Sequence, residues 1–169
     1  MTDTPLRISK IALSTGLGSP LDDGRQSDAA REIARGAVRL LALHGLRAIP
    51  EVALPNGRRA DLFAIGEKGE MVIVEVKSSV EDFRVDHKWP DYRDYCDRLY
   101  FAVSPGFPRD ILPEEVGILV ADRWGGDMIR EAAEHPLPGA RRKALTLRLA
   151  RIAAGRLMTL ADPQKAFEA

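Results

Sequence analysis

Apolar and polar positions recur along this chain in two periods, and the switches between them mark its elements. Over residues 29–44, Ile33, Ala37, Leu40, Leu41 and His44 fall on one stripe at helical spacing. Arg31, Arg35 and Arg39 form a second, basic stripe at i, i+4 and i+8. Asp28 is placed to cap the start of this helix and Gly45 its end. The period then shortens to two. Residues 49–54, Arg59–Ile65 and Met71–Lys77 read as strands, separated by the turn sequences Pro55-Asn56-Gly57 and Gly66-Glu67-Lys68-Gly69. The near-continuous run Met71, Val72, Ile73, Val74, Val76 predicts a central strand buried on both faces. A polar stretch, 78–87, leads to Pro90, placed in the first turn of a helix that runs to about residue 98. Residues 99–103 and 116–121 are two further apolar strands, 128–132 an edge strand after the turn Trp124-Gly125-Gly126-Asp127, and 140–156 a closing helix. Residues 1–27 hold no lasting period beyond a short strand at 6–13 and read as a flexible arm, with 157–169 as a tail.

The resulting order is α-β-β-β-α-β-β-(β)-α, in the α/β class: a mixed central sheet flanked by helices, with antiparallel neighbours first and parallel ones after the crossover. One domain over residues 28–156 accommodates it. Apolar residues make up 45% and charged residues 30% of the 169, a globular balance. Lys and Arg total 25 against 25 Asp and Glu, which excludes a wholesale polycation but not a local basic patch. The single cysteine, Cys96, excludes an internal disulfide and any multi-cysteine metal site. No signal segment or membrane span is legible, so the expected location is the cytoplasm. No Walker sequence, no G-x-G-x-x-G and no G-x-S-x-G occurs, which leaves nucleotide-triphosphatase, dinucleotide and serine-hydrolase chemistry without support.

The informative constellation is Asp61, Glu75 and Lys77. Period two puts Glu75 and Lys77 on one face of their strand, and pairing across the Gly66–Gly69 turn brings Asp61 near Glu75. Two adjacent carboxylates repel unless a cation lies between them, and a hard ion such as Mg²⁺ suits oxygen ligands. The main-chain carbonyl of Val76 is a candidate extra ligand. Lys77 is placed to orient a water or to stabilise charge developing on a phosphate. The competing reading is a Glu–Lys pair that simply meets solvent at a strand end. The buried run before it and the acid on the next strand weigh against that.

Arg59-Ala60-Asp61 followed by Ile73-Val74-Glu75-Val76-Lys77-Ser78-Ser79 resembles the D…(D/E)-x-K pattern of the PD-(D/E)XK nuclease superfamily, whose restriction-endonuclease-like core has the order α-β-β-β-α-β. More narrowly, Ala60-Asp61-Leu62, Glu75-Val76-Lys77-Ser78-Ser79 and the segment Lys88-Trp89-Pro90-Asp91-Tyr92-Arg93-Asp94-Tyr95-Cys96-Asp97 resemble the MmcB-like bacterial DNA repair proteins, over about residues 28–155. The superfamily implies Asp61 and Glu75 as metal ligands, Lys77 as the catalytic lysine and Mg²⁺ or Mn²⁺ as cofactor. Ala60 stands where many members have proline. The narrower family implies a part in DNA damage tolerance. It leaves open whether this copy cleaves DNA or serves as a non-catalytic subunit that keeps the fold.

Further candidates are Glu32 and Glu51 as additional acids, each also readable as a solvated charge. Lys88 and Tyr95 are substrate-side candidates by analogy, and Tyr92 and Tyr95, at i and i+3, serve either as stacking residues or as core. Arg35, Arg39, Arg58 and Arg59 on one segment and Arg141, Arg142 and Lys143 on another are what a phosphate-backbone track would need. The expected partners are DNA and other repair proteins, without a membrane; pairing with a second copy is left open.

Overall fold

The structure, a computed structural model, describes residues 27–163. The predicted arm and its short strand at 6–13 lie outside the described residues. Helix α1 (Asp28–Leu43) opens the fold, followed by strands β1 (Arg47–Ala53), β2 (Arg59–Ile65) and β3 (Met71–Lys77). A short helix α2 (Val80–Val85) and a 3-10 segment (Trp89–Tyr95) carry the chain over to β4 (Arg98–Val103). Then come β5 (Gly117–Ala121), β6 (Gly126–Arg130) and α3 (Gly139–Ala161). The six strands form one mixed sheet in sequential order. Pairs β1–β2, β2–β3 and β5–β6 are antiparallel, and β3–β4 and β4–β5 are parallel. The meander-then-crossover expectation is met, and β2 and β3 keep their predicted bounds.

Every position of β3 is buried, because the sheet is covered on both faces. On one face Ile33, Ala37, Leu40 and Leu41 of α1 pack on Leu62, Val72, Val74, Tyr100 and Leu119. On the other, Tyr92, Cys96, Leu145 and Leu149 pack on Phe63, Ile73, Phe101 and Ile118. Burial of these fully enclosed side chains stabilises the sheet by roughly 1.5–3 kcal/mol each before chain entropy is counted.

Four expectations are corrected. Ser27, not Asp28, caps α1: its Oγ accepts the Ala30 N–H at 3.2 Å, and Asp28 sits in the first turn instead. The far end holds as expected, with His44 at the C-cap and Gly45 at φ 76°, a left-handed turn that favours glycine. The helix expected after Pro90 is a 3-10 segment. Trp89, Tyr92 and Tyr95 recur every third residue, and only a helix with three residues per turn sets all three against the core. The stretch 78–87, read as polar loop, contains α2. Only Val80 and Phe83 give it an apolar side, so it has no legible period. Its signal is a cap: Ser79 Oγ accepts the Asp82 N–H at 3.1 Å, and Asp82 Oδ2 accepts the Ser78 N–H at 3.2 Å. Helix α3 continues through Ala161, beyond its expected end at residue 156.

Candidate active site

Strands β3, β4 and β5 run parallel, so their carboxyl ends share one edge of the sheet, the edge where function gathers in open α/β folds. The β2–β3 register sets Leu62 opposite Val74 and Phe63 opposite Ile73; continued by one step it sets Asp61 opposite Glu75. Each carboxylate is then held by backbone beside the other. The Asp61 N–H donates to Glu75 Oε1 at 3.2 Å, and the Val76 N–H donates to Asp61 Oδ2 at 2.8 Å. This reciprocal clasp keeps two acids together where the strands leave the core. Glu75 is 4% exposed and so is Lys77. The Lys77 ammonium pairs with Asp86, in the loop after α2, and lies 5.8 Å from the centre of the Phe101 ring. The Tyr92 hydroxyl donates to the Arg59 carbonyl at 3.0 Å.

These groups line one cleft of about 490 Å³ with Ser27 and Ala30 of α1, Val76, Arg59, Asp82 and Lys88. Its electrostatics are those of a site under load. Burial pushes the Glu75 carboxyl well above its usual range, and the neighbouring Asp61 charge pushes it further. Burial also raises Asp61, against the Val76 N–H and the Lys77 charge, which favour its ionised form. For Lys77, burial opposes the charge, but the Asp86 hydrogen bond and charge outweigh it and hold the ammonium protonated. Asp86 is correspondingly held below the usual aspartate range: burial opposes its charge, and Lys77 and the Lys88 N–H more than compensate. Tyr92 is raised by burial and by the Glu75 and Asp61 charges, so it stays a neutral donor.

The structure thus gathers Asp61, Glu75, Val76, Lys77, Arg59 and Lys88 at one place, together with Tyr92. Other candidates stand elsewhere. Glu32 is held by Arg123 at 2.6 Å and does not line the cleft. Glu51 pairs with Arg59 at a kink in β1, where its φ of 51° breaks the regular pairing with β2. Tyr95 packs on the core under the Arg141 guanidinium. Arg58 grips Asp91 at 2.9 and 3.1 Å. Arg35 is exposed on α1, and Arg39 donates to the Arg123 carbonyl. Arg141 binds the Asp94 carbonyl at 3.0 Å, and Lys143 is exposed.

Arg142 is spent on structure: it makes two bonds to Asp97, at 2.6 and 2.7 Å, and one to the Gly69 carbonyl at 2.7 Å. That places the start of α3 at the amino end of β3, about 13 Å along the strand from Glu75 and the cleft. Residues 141–143 therefore do not extend the cleft. Sequence reasoning passed over Asp86, which supplies the partner of Lys77. Its only signal is an acid within the polar stretch after the E-x-K motif.

A family model of DNA repair proteins described as MmcB-like matches residues 18–164. The chain belongs to the MmcB-like DNA repair protein family. This MmcB-like chain is also similar to a solved structure, a protein of unknown function from Silicibacter pomeroyi, at 40% identity and a TM-score of 0.79, covering 85% of this chain and 99% of that one. No curated protein matches the sequence. Among the described residues of this family member, no helix is long and apolar enough to cross a membrane. Membership of a DNA repair family sets the biological process; the chemistry has to be argued from the cleft.

Proposed function

We propose that this protein is a divalent-metal-dependent DNA endonuclease of the PD-(D/E)XK type, hydrolysing phosphodiester bonds during repair. The observation that carries the reading is the clasped Asp61–Glu75 pair beside a buried lysine, at the carboxyl edge of the sheet in an open cleft. Among the described residues no three His, Cys, Asp or Glu side chains cluster to hold a metal, so the donor set here is two carboxylates with the Val76 carbonyl and solvent. That set fits a hard cation that keeps several waters, Mg²⁺ or Mn²⁺. When bound, such an ion supplies Lewis acidity and a more acidic water.

The chain's own residues do the rest. Asp61 and Glu75 are charges offset in part by Lys77, by Arg59 beside Asp61 and by one backbone N–H each, yet burial and their mutual repulsion still raise both. Lys77 carries a protonated ammonium to the same face, where it offsets charge that develops on a phosphate. Arg59 and Lys88, on the cleft wall, attract and orient the backbone of the strand. The Tyr92 hydroxyl, anchored on the Arg59 carbonyl, fixes the wall that faces Glu75.

The test is incubation of the protein with duplex, single-stranded, flapped and branched DNA in Mg²⁺ or Mn²⁺. Cleavage that disappears in Asp61→Ala, Glu75→Ala and Lys77→Ala, with DNA affinity within a few-fold of wild type, is the expected result. A second reading, a non-catalytic DNA-binding or scaffold subunit, is favoured by one observation: Lys77 is already engaged by Asp86. If wild-type protein and Asp86→Asn both leave every substrate intact in either metal, that second reading replaces the first.

A further inference from the structure

We propose that the tip of the β5–β6 hairpin is a base-stacking platform for unpaired DNA, with Trp124 as the stacking residue and the arginines of α1 leading the strand from it to the cleft. This deepens the nuclease reading by naming a substrate class, a strand with exposed bases, and to that extent rests on it.

Trp124 is 78% exposed, so its ring face is open to solvent at the turn. The turn that carries it is built rigidly. Asp122 Oδ1 accepts the N–H groups of Trp124 at 2.7 Å and Gly125 at 3.2 Å, and the Asp122 N–H closes on the Gly125 carbonyl at 2.9 Å. Arg39 holds the Arg123 carbonyl, and Arg123 holds Glu32 at 2.6 Å. At Gly36 the helix backbone meets the turn directly. A Cβ there would stand 2.0 Å from the Asp122 carbonyl oxygen and 2.4 Å from that of Gly125. The indole is thus presented on a braced tip. The Arg123 guanidinium lies 6.0 Å from its ring centre, a stacking partner of the kind that also takes a base.

Position ties the tip to the cleft. β5 ends at the same edge of the sheet as β3, and Ser27 and Ala30 of α1 line the cleft wall. Residues four apart on a helix drift by about 40° around its axis. The stripe Arg31, Arg35, Arg39 therefore slants across the outer surface of α1, from the side of Ser27 and Ala30 to the side of Gly36. It covers about 14 Å of helix from Ala30 to Arg39. Among the described residues neither Arg35 nor Arg39 has a carboxylate within ion-pair distance; Arg35 is exposed, and Arg39 donates one N–H to the Arg123 carbonyl while its charge still faces the strand path. Cations along a ridge with an aromatic at its end are the elements of single-strand recognition.

The protein has two tryptophans, so Trp89→Phe leaves Trp124 as sole reporter. The probe is a 12-nucleotide oligothymidylate, alone or in duplex, in EDTA so that no cleavage enters the reading. Single strand is expected to quench Trp124 fluorescence. Trp124→Ala in the wild-type background, followed by anisotropy of the labelled oligonucleotide, should weaken single-strand binding about 5- to 150-fold and duplex binding much less. Trp124→Phe should restore most of the affinity. Arg35→Glu, which leaves the Arg39 brace intact, should flatten the log–log salt dependence on single strands by about 0.7 for the lost phosphate contact. A Trp124→Ala protein that binds both DNAs as wild type, or loses both equally, overturns the platform. Because the assay needs no metal and no turnover, it stands or falls independently of nuclease activity.

Discussion

The two ends of β3 each hold a buried acid, and they are built to opposite purposes. At the amino end, Asp97 has every oxygen answered: it accepts the Met71 N–H at 2.8 Å, the Leu137 N–H at 2.9 Å and two bonds from Arg142. Burial opposes its charge, yet these donors hold its carboxyl below the usual aspartate range. At the carboxyl end, Asp61 and Glu75 face each other as like charges, and both are raised. A satisfied charge welds α3, the β2–β3 turn and the start of β4 into one unit. A pair of like charges, each with only one backbone N–H, stores repulsion, which in the proposed function a cation would relieve. The same residue type is structural in one place and, in the proposed function, chemical in the other because of who donates to it.

Breaking the satisfied end should have the largest effect on folding. Asp97→Ala strands the Arg142 guanidinium and two buried N–H groups, which costs about 3–5 kcal/mol. Thermal unfolding should shift down by roughly 10 °C. The same substitution at the other end, Asp61→Ala, strands the Val76 N–H but also removes a repelling charge, so it should lower the melting temperature of the metal-free protein far less than Asp97→Ala.

Acid should find the satisfied end next. Asp97 ionises below the ordinary aspartate value of 3.8 when folded, so its pairing contributes fully above that pH and is lost as pH falls through the lower folded value. Unfolding followed by circular dichroism between pH 5 and 2 should show a steep loss in wild type, and Asp97→Asn should flatten it; equal slopes would contradict the assignment.

A smaller effect is expected where α2 borders the cleft. Ser79→Ala removes the cap of α2 and should cost about 1 kcal/mol in denaturant unfolding. Because α2 leads directly to Asp86, the substitution should also speed hydrogen exchange of the 80–88 backbone, with β3 unchanged.

How much of this was legible follows from how local each signal is. β2 and β3 carry their bounds in their own residues: two glycine turns and a β-branched run. Asp61 and Glu75 could be paired because a short hairpin fixes the register between them. The 3-10 segment reads as an α-helix because Pro90 opens both, and α2 is illegible because six residues hold no periodicity. The basic run Arg141, Arg142, Lys143 reads as a DNA track, and the engagement of Arg142 by Asp97 is not legible in it, since a charge in sequence does not name its partner. Asp97 lies 45 positions from Arg142, and nothing local joins them. One signal for Asp97 existed: a lone acid between Cys96 and an apolar strand, where solvent is absent.

The central claim is that Asp61 and Glu75 form a cation site rather than a surface salt bridge with Lys77, and melting curves with and without metal test it most directly. A ligand at roughly ten times its Kd stabilises the folded state by about 1.4 kcal/mol, which for a chain of this size is a rise of about 3–5 °C. Wild type should show that rise in millimolar Mg²⁺ and at least as much in Mn²⁺. Asp61→Asn should abolish the rise while leaving the metal-free protein no less stable, one repelling charge having gone. A wild-type melting temperature indifferent to both metals up to several tens of millimolar would contradict the account and remove the catalytic roles given to Asp61, Glu75 and Lys77.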